Sequence, residues 1–410
     1  MKRAISKSNN NFAFLIGICG ISAVTWTGLG QTFNYLFIAL ILISISLMKI
    51  GDNQRINFKG VHLLAYSAVL STIVTSLFLV NNKSFVDYLM EKNLSGTFLV
   101  SSYDSSNEFF ILFKWILSLY SLPTFVYLVR RQSIEKYSKI LYWWTCSVLL
   151  SAVIAILQSV GFLPKLPFIV QVGVDSGRFA GLSNHPNTQA ILICLSMPIA
   201  LILFRMNLMK RSNFVFLIGI FEYAIFLTGS RNGILCSVIL LLLIFSRTYE
   251  PLFGSKLKVI QIYLFASGAV IFYSVGIIEF LIQNSRLSLN SAAFGRDESS
   301  MGHFALMRYG FDIFIHYPIF GIGPSVLKTF HNIYLQIAGS FGLIGIFAFT
   351  SYVRNLFRID FTKNLKFEYR LIVFTFLLFG MFNNNLADFY LYLPLGLCYA
   401  SASDKENIQV

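Results

Sequence analysis

Charge is what this sequence has least of. Only 12% of its 410 residues are charged, where a soluble domain carries about 25%. Apolar residues make up 56%, with 42 Phe against 9 Pro, and runs long enough to cross a bilayer recur along the whole length. A soluble protein of this size has no interior to hide that surface, so lipid is its natural solvent. Cysteine is scarce as well. Cys19, Cys146, Cys194, Cys236 and Cys398 all fall inside apolar runs, and none forms a C-x-x-C pair. They read as small buried hydrophobes and speak against a disulfide frame. No His/Cys/Asp cluster has metal-ligand spacing, so neither a metal nor another cofactor is expected. No basic stripe interleaved with exposed aromatics occurs in a soluble segment, so the net charge of +14 does not point to nucleic acid.

What is present is a series of apolar segments. Hydropathy predicts an all-α, polytopic helical bundle, one integral membrane domain over 1–410. Its helices are expected near 12–29, 31–48, 60–80, 109–129, 138–160, 188–205, 212–228, 232–246, 257–283, 331–353, 370–384 and 388–402. The basic N-terminus MKRAISKSNN runs into the first of these without an A-x-A-like site, so it reads as a first spanning helix and not as a cleaved signal peptide. With the N-terminus cytoplasmic, twenty-two of the 32 basic residues fall in cytoplasmic segments. That asymmetry sets orientation and explains the positive net charge. Both termini are then cytoplasmic, and three long segments face outward: 81–108, 161–187 and 284–330. Within the largest, SSMGHFALMRYGFDIFIHYP carries Phe304, Leu306, Met307, Phe311, Phe314 and Ile315. This fits an amphipathic helix at the interface or packed over the bundle, ended by Pro318.

External loops of membrane proteins avoid arginine, yet Arg178 stands in SGRFAGLSNHPN, Arg231 in TGSRNG, and Arg286, Arg296 and Arg308 in the large loop. A guanidinium is a planar fork of donors suited to phosphate oxygens. A lone external Arg more often touches headgroups or a loop carbonyl. Arg178 and Arg231, both beside glycine and both at helix mouths, favour a functional role. Asn184, His185 and Asn187 surround Pro186, and the plain reading there is a turn with Asn187 or Thr188 capping the next helix. Arg178 is harder to explain by capping. His331 and Asn332 open a membrane helix, and a His there can take a proton near neutral pH. Gly339, Gly342 and Gly345 would admit a close neighbouring helix. Lys114, Glu222 and Asp388 are costly charges at or near the membrane. Lys114 reads equally as a snorkelling lysine, Glu222 is placed to pair with Arg231 or Lys114 or to act as an acid or base, and Asp388 sits on the last external turn.

The pattern His331-Asn332, nine residues, Gly342, two residues, Gly345 resembles the signature of the bacterial O-antigen ligase and polymerase family. PIFGIG (Pro318 to Gly323), RFAGLSNHPN and TGSRNG are similar to that family's other segments and stand in the same order. The usual tail of the motif is replaced by Ile346 and Phe347. The resemblance covers residues 177 to 345, and the N-terminal third matches only in being several helices.

The resemblance implies a GT-C-like membrane glycosyltransferase, inverting and metal-independent. It would take a glycan from undecaprenyl diphosphate on the periplasmic or external face of a bacterial inner membrane. The acceptor is lipid A core in the ligases and another lipid-linked repeat in the polymerases. A chain-length regulator or other assembly proteins are further expected partners. By position, Arg178 and Arg231 would hold the diphosphate and His331 would activate the acceptor hydroxyl. Asn332 and Asn187 are expected to bind substrate. Many relatives carry an Arg where this chain has His303, so Arg308 or Arg296 would complete the site. The first external turn, GLGQ, has no acidic residue, which argues against a metal-dependent oligosaccharyltransferase. The alternative reading is a flippase for lipid-linked oligosaccharides or another transporter. That plan calls for repeated halves and mid-membrane polar residues, and no repeat is visible. A rhomboid-like protease is a weaker rival, because no Gly-x-Ser-x-Gly or Gly-x-Ser-Gly motif occurs.

Overall fold

The computed structural model describes residues 2–48, 59–78, 105–164, 166–171, 177–247, 298–324, 330–359, 365–381, 383, 386 and 388–401. Among these residues all regular structure is helical. The helices are α1 (Lys2–Thr25), α2 (Gln31–Leu47), α3 (Lys59–Phe78), α4 (Ser105–Gln132), α5 (Ile134–Ser159), α6 (Pro186–Arg205) and α7 (Arg211–Thr228). They continue with α8 (231–247), α9 (Glu298–His316), α10 (Ile333–Arg358), α11 (Lys366–Gly380) and α12 (Tyr392–Ser401). Every helix expected from hydropathy has its counterpart except 257–283, which lies outside the described residues. The positions are legible because a helix in lipid satisfies its own backbone and needs only a long enough apolar run.

Among the described residues, five helical stretches are long and apolar enough to cross a membrane: Phe109–Gln132, Ile134–Ser159, Pro186–Arg205, Arg211–Thr228 and Ile333–Arg358. Asn10–Thr25, Phe33–Leu47 and Phe389–Tyr399 are apolar but shorter. The chain is thus a helical membrane protein. Exposed side chains such as Phe113, Phe216 and Phe347 suit a lipid solvent.

The chain divides into two compact units. One comprises Met1–Gly20, Ile38–Tyr137 and Glu298–Val410, and the other Ile21–Phe37 and Ser138–Asp297. In the first, α12 packs along α4 and α10 along α3. Small residues allow these approaches. A Cβ on Gly396 would stand 2.8 Å from the Cα of Pro123, and one on Gly60 would stand 2.8 Å from the Cα of Tyr352. Trp115 of α4 stacks on Phe341 of α10 at 5.3 Å between ring centroids and donates to the Tyr392 hydroxyl of α12 at 2.5 Å. In the second unit, α6 and α7 pack together, and α6 is buried nearly throughout. The Trp144 indole of α5 donates to the Ser196 hydroxyl of α6 at 2.9 Å, so its polar edge is satisfied within an apolar interior.

The amphipathic helix expected in the large loop is α9. It docks through Tyr309 and Ile313, which form a buried cluster with Ile322 and Phe330 and are joined by Tyr317 and Leu335. Phe311 and Ile315 of the expected apolar face are instead exposed. The docked face is therefore the one with spacing i, i+4, i+8 from Tyr309. Helix α9 ends at His316, just before Pro318.

Candidate functional site

Two helix mouths carry the polar residues singled out in the sequence, one in each unit. In the second unit the mouth is the α7–α8 hairpin. Gly229 takes the left-handed conformation (φ 57°) that closes α7, as C-terminal glycines do. Ser230 then begins α8, its hydroxyl accepting from the Gly233 N–H at 3.2 Å. Arg231 follows as the first helical residue of α8, with its side chain exposed.

Arg178 reaches this hairpin from the preceding loop. Its Nε donates to the Thr228 carbonyl at 2.7 Å, and its Nη2 donates to Asn187 Oδ1 at 2.8 Å. Arg178, harder to explain by a cap on α6, meets the end of α7 instead. The guanidinium satisfies a carbonyl left open at the C-terminus of α7, where a cation is also favoured by the helix dipole. The same two bonds fix the plane of its fork. Asn187 is not the cap of α6 either. Pro186 occupies the first turn, where its missing N–H costs nothing. The cap is His185, whose Nδ1 accepts from the Asn187 N–H at 3.1 Å. The Asn187 side chain is left to orient Arg178.

The Arg178 loop is held along its length. The Phe179 N–H donates to the Leu227 carbonyl at 3.0 Å. Gly181 has φ 57°, and a Cβ there would lie 2.0 Å from the Ser151 carbonyl of α5. The Leu182 N–H donates to Ser151 Oγ, and Ser151 and Ser183 both donate to Gln189 Oε1. Thr27 and Asn184 exchange two bonds of 3.0 Å. Such pinning sets Arg178 in a fixed place, as a preorganised anion clamp requires.

In the first unit the mouth is the start of α10. Asn332 caps it, its Oδ1 accepting from the Tyr334 and Leu335 N–H groups at 2.9 and 3.0 Å. Its Nδ2 donates to the Met381 carbonyl at 2.9 Å, which ties the mouth to the end of α11. His331, one residue earlier, is half-buried. Phe330 is buried and meets Tyr309 of α9 at 5.9 Å between ring centroids. Arg308, exposed on α9, stands next to that contact. His303 lies on α9 as well. Arg296 lies outside the described residues. The structure thus joins Arg178, Asn187 and Arg231 at one mouth. It places His331, Asn332 and Arg308 at another within the first unit.

The glycines after His331 do something that spacing alone does not reveal. A close helix neighbour was expected, but Gly342 instead breaks α10, with φ 61° and ψ −153° inside the helix. The freed backbone groups are taken up by the segment 318–323. The Leu343 N–H donates to the Pro318 carbonyl at 2.7 Å, the Ile322 N–H to the Gly339 carbonyl at 2.9 Å, and the Gly323 N–H to the Ser340 carbonyl at 3.0 Å. Backbone runs against backbone here. A Cβ on Gly342 would lie 2.3 Å from the Ile319 carbonyl oxygen, and one on Gly321 (φ 68°) would lie 2.4 Å from that of Gly339. Ser71 of α3 donates to the Phe320 carbonyl and, at 2.9 Å, to that of Ser340. Irregular backbone at membrane depth survives only when protein satisfies it in this way. The two resembling segments, PIFGIG and the spaced glycines, are therefore one structural joint. It gives the short half-helix bearing His331 a direction of its own.

Residues 214–350 match the model of the O-antigen ligase family. Over that stretch the chain is similar to the O-antigen ligase family. The matched stretch takes in Arg231, Arg308, His331, Asn332, Gly342 and Gly345, and it begins after Arg178 and Asn187. No curated protein matches the chain. The matched stretch takes in the α7–α8 hairpin mouth and the break in α10, so the motif resemblance read from the sequence is borne out over this stretch. Ser71 lies before it, and a single Ser in an apolar helix gave no signal of its own.

Two charges expected at depth also find their partners. Lys114 of α4 pairs with Asp388 at 4.0 Å. Glu222 of α7 accepts from the Ser237 hydroxyl of α8 at 3.0 Å, and its other oxygen has no hydrogen-bond partner among the described residues. Neither pair was foreseen, since the partner in each case is set by packing.

Proposed function

We propose that this protein transfers a glycan from an undecaprenyl-diphosphate-linked donor to an acceptor sugar hydroxyl during assembly of a bacterial surface polysaccharide. The O-antigen ligase family domain supports glycosyl transfer of this kind. The observation that carries the reading is the α7–α8 mouth, where Arg231 stands exposed beside an Arg178 whose fork is held by Thr228 and Asn187. Two guanidiniums at one mouth suit a diphosphate, whose departure needs its charge neutralised.

In the step proposed, the acceptor oxygen attacks the anomeric carbon from the side opposite the diphosphate. The hydroxyl proton passes to His331. The bond from the anomeric carbon to the phosphate oxygen breaks, and the diphosphate leaves with that electron pair. Attack from the opposite side inverts the anomeric centre. Arginines supply the charge a metal would otherwise supply, so the reaction as proposed needs none. Arg308, Arg296 and His303 are assigned to substrate binding. As proposed, the chain crosses the inner membrane twelve times in a GT-C-like bundle, with both termini cytoplasmic.

Deleting the gene and resolving the cell-surface glycan on a gel tests this. Glycan carrying a single repeat indicates a polymerase. Unattached, lipid-linked polymer indicates a ligase. An unchanged glycan overturns the proposal.

A further inference from the structure

The first unit holds a second polar constellation apart from His331. It begins on the same half-helix. Asn332, Gln336 and Ser340 follow one another at four-residue spacing and so share a face of α10. Gln336 and Ser340 are fully buried. At the inner end of this stripe Phe341 stacks on Trp115, and the residue before Trp115 is Lys114. The Lys114 ammonium lies 4.0 Å from Asp388 Oδ1 and 4.5 Å from the centroid of the Phe389 ring. The Tyr390 hydroxyl donates to Asp388 Oδ2 at 3.2 Å. Asp388 follows Met381, which is bonded to Asn332, by seven residues.

This pair makes a poor structural device. Its ion contact is beyond hydrogen-bond distance, and a carboxylate offers about four lone-pair positions, of which Tyr390 takes one. The Lys114 side chain is 8% exposed, but that of Asp388 is 31% exposed. Among the described residues one edge of the carboxylate is therefore open while its cation is enclosed. Desolvating two charges for so loose a pairing returns little stability, and charges kept in a membrane bundle generally serve a ligand. A carboxylate with an open edge, held by a tyrosine and balanced by a buried lysine, is suited to accept hydrogen bonds from neutral hydroxyl groups. A second anion would find a carboxylate in its way.

We propose that Asp388, oriented by Tyr390 and balanced by Lys114, forms a subsite that binds hydroxyls of the acceptor sugar while His331 takes the proton of the reacting one. This deepens the glycosyl-transfer reading and rests on it.

The test complements a deletion strain with the full-length chain and reads surface glycan by gel and protein abundance by immunoblot. Asp388→Asn leaves the pocket filled but halves its acceptor strength toward hydroxyls. It is expected to lower glycan assembly about 10–100-fold, as loss of hydrogen bonds to a charged group does. The double variant Lys114→Met/Asp388→Leu removes both charges together, so it accumulates even if a single change does not. It is expected to remain inactive. Full assembly from Asp388→Asn overturns the subsite, and so does restored assembly in the double variant, which would make the pair structural. The broader reading is separable: a deletion strain with unchanged glycan overturns glycosyl transfer itself, and the subsite falls with it.

Discussion

Replacing Gly342 by alanine should damage this protein more than its single methyl suggests. The backbone at 342 has φ 61° and ψ −153°, a region where a residue with a Cβ is strained by about 1–3 kcal/mol. The methyl would also lie 2.3 Å from the Ile319 carbonyl oxygen and 2.6 Å from that of Pro318. These are backbone atoms held by the Leu343 and Ile344 N–H groups, so they cannot swing aside like a side-chain tip. Forcing them apart adds about 1–3 kcal/mol of overpacking strain and gives up the bond from Leu343 to Pro318, worth about 1 kcal/mol. The sum, about 3–7 kcal/mol, is a large share of the 5–15 kcal/mol that holds a domain folded. At about 2–4 °C per kcal/mol, the unfolding midpoint in detergent should fall by roughly 6–28 °C. Size-exclusion of heated, fluorescently tagged protein measures this. Gly219→Ala is the matched control. Gly219 sits inside α7 with nothing near its Cβ, so alanine there should be neutral or up to about 1 kcal/mol stabilising. A Gly342→Ala midpoint equal to that of the control would refute the joint between 318–323 and α10.

Other expectations follow from the same geometry. Asn332→Ala strips the α10 cap and the bond to Met381, so the midpoint should fall by an amount corresponding to about 1–2 kcal/mol; no change in the heated size-exclusion profile would dismiss the cap. Asn187→Ala frees one side of the Arg178 fork and should cut surface-glycan assembly by roughly tenfold at normal protein abundance, because misplacing a clamp costs rate. Arg178→Lys should fare no better, since an ammonium cannot bond Thr228 and Asn187 as a planar fork does. Arg231→Ala and His331→Ala should each abolish glycan assembly while the protein still inserts, and full assembly in both would remove the site assignment. Ser237→Ala takes from Glu222 its hydrogen-bond donor and should cost about 1–3 kcal/mol in the same stability assay.

The helices themselves were legible from composition. Apolar runs marked α4, α5, α6, α7 and α10, because a helix in lipid closes its hydrogen bonds within its own segment. Arg178, Arg231, His331 and Asn332 could be picked out for the same local reason: polar residues at the ends of apolar runs are conspicuous. What those residues touch was not legible. Arg178 caps a helix that begins thirty-three residues later in the chain. The cap of α6 fell to His185 because Pro186 fixed where the helix starts.

The same division holds for the glycines and the buried charges. Composition and motif spacing alone mark a helical membrane protein with a family-like His and glycine pattern. That Gly342 breaks α10, that 318–323 and Ser71 fill the break, and that Lys114 faces Asp388 emerge from packing between distant segments. The reason is physical. A helix is favoured by neighbours three and four residues away. A break or a buried charge persists only when a distant segment supplies the missing bonds, and no local pattern names that segment.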